Sequence, residues 1–136
     1  MDKNLKKLLI FVGFLVLALF FWRLNVYFFY MDGDVSFLRD TTGLNIHHYH
    51  YGIIILLIAV LIMIFLKVEK YSIALSGFGF GTILDGMASR LLSQSVRTEE
   101  LSKYNSVFEL TLFLFLAAIL LVVIFYVISE KSKIKK

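Results

Sequence analysis

The chain has no cysteine and no proline. The first absence excludes disulfides, thiolate-held iron–sulfur clusters and thiolate zinc sites. The second excludes proline kinks in any helix. Charge is scarce as well: Asp, Glu, Lys and Arg make up 18% of 136 residues, and only ten of them are acidic. Apolar residues fill the difference. They reach 60%, with fourteen phenylalanines, against roughly 45–50% in soluble domains. Mean hydropathy is +0.84. A soluble chain of this length has too high a surface-to-volume ratio to hide that much apolar area. The composition therefore excludes an ordinary soluble domain and predicts a single membrane domain.

Four apolar segments carry this excess, at about 8–30, 47–66, 71–92 and 107–128. About 20 residues at 1.5 Å rise cross a ~30 Å hydrocarbon core, so each is predicted to span, with 47–66 the marginal one. Transmembrane barrel strands would alternate over ~10 residues. The runs LLIFVGFLVLALFFW and FLAAILLVVIFYVI do not alternate. The predicted fold is all-α: a polytopic bundle of four transmembrane helices. No internal repeat, linker or second domain interrupts it.

Lys and Arg give the orientation. Lys3, Lys6, Lys7, Lys67, Lys70, Lys131, Lys133, Lys135 and Lys136 fall on one side, and Arg23, Arg39, Arg90, Arg97 and Lys103 on the other. The positive-inside rule places both termini and the short Lys67–Lys70 turn in the cytoplasm. The net charge of +4 is thus a topology signal and not a nucleic-acid footprint. Tyr27, Tyr30, Tyr49, Tyr51 and Tyr104 form an expected outer aromatic belt. The basic, apolar N-terminus resembles a signal peptide, but LFFWRLNVYFFY offers no small-residue cleavage site. It is read as an uncleaved anchor.

Polar residues gather at one depth. Asp85 lies 14 residues beyond Tyr71, ~21 Å from the cytoplasmic edge. Arg23 lies 15 residues beyond Leu8, ~22 Å up. Arg90 follows Asp85 by little more than a turn, Glu109 opens the fourth segment, and His47, His48 and His50 open the second. Ionisable groups in hydrocarbon cost at least ~2.5 kcal/mol each and face the bundle interior or water. Two arrangements satisfy that rule: a shared polar pocket open to the outside, with Arg23 or Arg90 as an anion clamp, or an ion pair of Asp85 with Arg23 or Arg90 that pins the bundle.

Imidazoles and carboxylates together form a candidate metal set: His47, His48, His50, Asp85 and Glu109. Such a donor set suits zinc, iron or manganese. The same histidines also suit proton handling or hydrogen bonding at the interface. Haem is disfavoured, because every histidine sits at the end of one segment. Asp32-Gly33-Asp34 is too sparse for a calcium loop. GFGFG, with no strand before it, is not a dinucleotide loop.

On the third segment Ala74, Gly77, Gly81, Asp85 and Ala88 recur at steps of three and four and line one face. Gly77 and Gly81 form a small-xxx-small pair, read first as intramolecular packing and second as a homodimer seam. Ser72, Gly79 and Gly86 mark another face.

NIHHYHYGIIILL followed by GFGFGTILD resembles a family of small prokaryotic multi-span integral membrane proteins of uncharacterised function. The matching residues are His47, His48 and Gly52, then Gly79, Gly81, Leu84 and Asp85, then Tyr104. Where that family carries an acidic residue after the Asp, this chain has Gly86, which speaks against a paired-carboxylate centre. The resemblance implies a multi-pass protein of a prokaryotic plasma membrane and brings no activity with it. Three functions fit the sequence: a membrane scaffold or partner subunit, whose partners are the bilayer and either a second copy or another protein; a metal-dependent enzyme acting on a lipid or lipid-linked substrate; and an ion- or proton-coupled transport component.

Overall fold

A computed structural model describes residues 2–30, 48–67, 69–92 and 107–134. Among the described residues the elements are four helices: α1 (Lys3–Tyr30), α2 (His48–Leu61, running on into a π-helical turn Ile62–Leu66), α3 (Glu69–Leu92) and α4 (Phe108–Ile134). The all-helical expectation holds for these residues.

Helix ends follow local chemistry. The Asp2 carboxylate accepts hydrogen bonds from the backbone N–H groups of Asn4 at 3.1 Å and Leu5 at 3.0 Å. It thereby satisfies two donors that α1 would otherwise leave open. The Leu5 bond is the main reason the Asp2 carboxyl sits below its ordinary range. Helix α4 continues past residue 128, where the apolar run ends, to Ile134. Lys133 bonds Glu130 at 2.6 Å, one turn back, and the Ser132 hydroxyl donates to the Ser129 carbonyl at 2.8 Å. Lys131 and Lys133 in the last turn also complement the negative end of the helix dipole. Residues 129–134 are thus helical where the loss of apolar residues predicts an end. At the end of α2, Lys67 adopts the left-handed conformation (φ 54°, ψ 24°) and reverses the chain into α3.

Polar ties fix the directions. Lys7 on α1 meets Glu69 at the start of α3, and Arg23 further along α1 meets Asp85 further along α3, so α1 and α3 run parallel. The Ser72 hydroxyl donates to the Ala59 carbonyl at 3.0 Å, early in α3 and late in α2, so that pair is antiparallel. Asn4 donates to Glu130 at 2.7 Å, while Arg23 reaches Thr111, so α4 runs antiparallel to α1. The bundle is up-down-up-down. The start of α1, the end of α4 and the Lys67 reversal lie at one end of it.

Helix α3 packs most extensively, against α1 and α2, and α4 rests on α1 and α3. Leu15, Leu19 and Phe115 form the buried apolar core, flanked by Phe11, Phe80, Leu84 and Ile119. Close approach to α3 requires glycine. A Cβ at Gly81 would lie 2.7 Å from the Leu15 carbonyl oxygen, and one at Gly77 would strike the Phe11 carbonyl. On another face, a Cβ at Gly52 would lie 2.7 Å from the Gly79 carbonyl oxygen. The Gly77/Gly81 stripe therefore seats α1, and Gly79 seats α2.

Among the described residues three helices are long and apolar enough to cross a membrane, within Lys3–Asn25, Tyr49–Leu66 and Phe108–Lys133. The weakest of the four as a span is therefore α3, and not α2 as its length predicts. The reason lies in what α3 touches. Its Ser72, Thr82 and Asp85 are buried and its glycines seat neighbouring helices, so its lower hydropathy records protein contact.

Candidate functional site

Among the described residues, the polar groups predicted to share a depth divide into some brought together and some left apart. Arg23 and Asp85 come together. The arginine Nε donates to Asp85 Oδ1 at 3.1 Å, and the Asp85 side chain is fully buried while that of Arg23 is 15% exposed. Of the two sequence alternatives, the ion pair between helices is present.

The pair is extended by residues that the sequence did not single out. Arg23 Nη2 donates to Thr111 Oγ1 at 2.8 Å, which ties α4 to the α1–α3 pair. Thr111 in turn donates to the Val107 carbonyl at 3.0 Å, so its hydroxyl is used in both senses. The Phe108 ring lies 5.2 Å from the guanidinium carbon, within cation–π range. Beside this, Trp22 Nε1 donates to Thr82 Oγ1 at 2.9 Å, and Thr82 donates to the Phe78 carbonyl at 2.9 Å. The Trp22 ring stacks on Tyr51 of α2 with centroids 6.2 Å apart and planes 10° from parallel. All four helices thus meet at this level through Trp22, Arg23, Tyr51, Thr82, Asp85 and Thr111. A sequence signal for the threonines does exist: hydroxyls in apolar helices are used across helix interfaces.

Of the remaining candidates, those described stand apart from the pair. Glu109 is exposed. It precedes the buried Thr111 by two residues, or ~200° around the helix, so it faces the other way. His50 is half-buried in the first turn of α2, its ring stacked on Tyr49 at 3.9 Å. His47 lies outside the described residues, as do the side chains of His48 and Arg90. Among the described residues, no three His, Asp or Glu side chains converge on a point that could hold a metal ion. Gly77 and Gly81 are occupied by α1.

Chemically, the arrangement can neutralise charge. A buried carboxylate is matched by a guanidinium whose fork also reaches a hydroxyl, which is the geometry that lets Arg hold a partner and a register together. No family model, curated protein or solved structure matches the chain.

Proposed function

We propose that the chain is a four-span integral membrane protein of a prokaryotic plasma membrane, with both termini and the Lys67 turn on the cytoplasmic side, and that it serves as a non-catalytic scaffold or partner subunit. The observation that carries this reading is the Arg23–Asp85–Thr111 clasp. Arg23 and Asp85, at the depth where a substrate site would lie, are engaged with one another. They join α1, α3 and α4 where an enzyme would present them to a ligand. Helix α3 crosses as the central element, its Asp85 neutralised from α1 and its small residues covered by α1 and α2. The lysine-rich end supports the cytoplasmic assignment.

What the bundle offers its surroundings is apolar. Phe113, Leu116, Leu120 and Phe125 on α4, and Ile54, Leu57 and Phe65 on α2, are largely exposed. Such surfaces meet lipid or another transmembrane protein. A photo-crosslinking amino acid placed at Phe113, Phe125, Ile54 or Phe65 in native membranes distinguishes the two. The scaffold reading expects a protein adduct of fixed mass from one helix and lipid adducts from the other. Lipid adducts alone at all four positions would overturn it. So would stoichiometric zinc, iron or manganese in the untagged protein that disappears when His47, His48 and His50 are changed to Ala.

A further inference from the structure

The end of the bundle where α1 starts and α4 ends holds seven lysines among its described residues, Lys3, Lys6, Lys7, Lys67, Lys70, Lys131 and Lys133, against three carboxylates. All three carboxylates are engaged inside the molecule. Asp2 caps α1. Glu69 pairs with Lys7 and lies 4.0 Å from Lys3. Glu130 accepts from Asn4 and Lys133. Three lysines are taken up with them. The other four, Lys6, Lys67, Lys70 and Lys131, are exposed, and among the described residues none of them makes an ion pair.

Their placement is regular. Lys6 belongs to α1, Lys67 ends α2, Lys70 opens α3 and Lys131 closes α4. The Lys7–Glu69 and Asn4–Glu130 contacts bring these four ends to one height, within about one helical turn, ~5 Å. Each helix thus contributes one cation, without an internal partner, to a collar just beyond the apolar spans. Aliphatic stems at that level lie along the hydrocarbon boundary while the ammonium groups reach the headgroups.

We infer that this collar is a binding surface for anionic phospholipids, whose headgroup phosphates lie at the height of the four ammonium groups and whose acyl chains lie along the exposed apolar faces of α2 and α4. The inference rests on the membrane-spanning reading above, but not on which side is cytoplasmic. A zwitterionic headgroup carries its own ammonium beside the phosphate and gains less from the collar. Anionic headgroups carry no such compensation, and basic residues at a membrane surface attract them.

The test uses the full chain reconstituted in phosphatidylcholine vesicles with trace spin-labelled lipid, either phosphatidylglycerol or phosphatidylcholine. The motionally restricted fraction reports lipid held against the protein. The wild type is expected to hold phosphatidylglycerol over phosphatidylcholine by on the order of threefold. The preference should collapse at about 1 M salt, where screening shortens to about 3 Å. In K6Q/K67Q/K70Q/K131Q it should disappear while restricted phosphatidylcholine persists. The single Trp22, hydrogen-bonded in the clasp, reports by its emission that the variant is folded. Should that emission change, K6Q/K131Q and K67Q/K70Q each remove half the collar and should each lower the preference. Equal association of both lipids with the wild type would overturn the inference, and so would a preference that survives in the folded variants. No restricted lipid of either kind would instead overturn the spanning reading on which it rests.

Discussion

Asp85 is a carboxylate with no exposed surface, and its charge is matched from another helix by Arg23. Breaking a buried ion pair by removing one member costs about 3–5 kcal/mol, whereas exchanging both for apolar residues of similar size is often near neutral. D85N and R23Q are each expected to destabilise by roughly that amount, and R23M/D85L by clearly less than the sum. Equilibrium unfolding in mixed micelles supplies the double-mutant cycle. Additive losses would mean that the two side chains do not act on one another. Both residues were legible in the sequence, because each is a charge inside an apolar run and helical rise alone puts them at the same depth. What depth does not give is azimuth. Glu109 and Thr111 differ by ~3 Å in height but stand on opposite sides of α4, so the carboxylate faces outward and the hydroxyl completes the clasp. Thr82 and Thr111 left little trace in the sequence for another reason. Each can satisfy itself on its own helix, and each does so, through the carbonyls of Phe78 and Val107. Their second bonds depend on which neighbour arrives.

At the scale of helices, glycine sets how closely α3 is approached. The cost of filling these positions separates contact from propensity. G81A would drive a methyl group to 2.7 Å from the Leu15 carbonyl oxygen and 2.8 Å from the Ala18 Cβ. G52A would meet the Gly79 carbonyl oxygen at 2.7 Å and the Ile83 nitrogen at 2.9 Å. Backbone atoms do not swing aside, so both should lower stability by about 1–3 kcal/mol, the usual range for overpacking. Gly13 lies on the same helix as Leu15, yet a Cβ there meets nothing within 4 Å. G13A should be neutral or gain about 0.5–1 kcal/mol, the ordinary benefit of alanine over glycine within a helix. Thermal unfolding of the three variants side by side checks this, and a loss in G13A equal to that in G81A would refute the assignment of faces. The α3 stripes were visible in the sequence at steps of three, four and seven. Which neighbour each stripe serves was not, because nothing in α1 marks Phe11 and Leu15 as the positions that α3 would press. The order of α2 and α3 as spans differs from the sequence expectation for a related reason. Length alone marks α2 as the marginal span, whereas the small and buried polar residues that fit α3 to its neighbours take more from its hydropathy.

Across the whole molecule, α1 carries the ties at both ends: Asn4 to α4 and Lys7 to α3 at the lysine-rich end, and Arg23 to both at the other. The two ends differ in what can loosen them, since only the lysine-rich end lies beyond the apolar spans. The Glu69 carboxyl is held below its ordinary value, chiefly by its hydrogen bond from Lys7. A group whose folded value is depressed contributes stability that is fully present above its unfolded value, ordinarily near 4.5, and that is lost as pH falls through the lower folded value. Asp2 is depressed by its capping bonds and acts in the same sense. Acid should therefore loosen the lysine-rich end, and the effect should begin only below about pH 5. The contribution is modest, because Glu69 stands exposed and solvent and salt screen the pair. E69Q removes the titrating group. The wild type should be more stable than E69Q at pH 7, and the gap should close as pH falls towards 3. At neutral pH about 1 M salt should narrow the same gap by screening. Unfolding midpoints of both proteins across that range read the difference directly. A gap that stays constant from pH 7 to pH 3 would show that the Lys7–Glu69 contact does not hold α1 against α3, and the parallel register of these helices would then rest on the glycine seats and the Arg23 clasp alone.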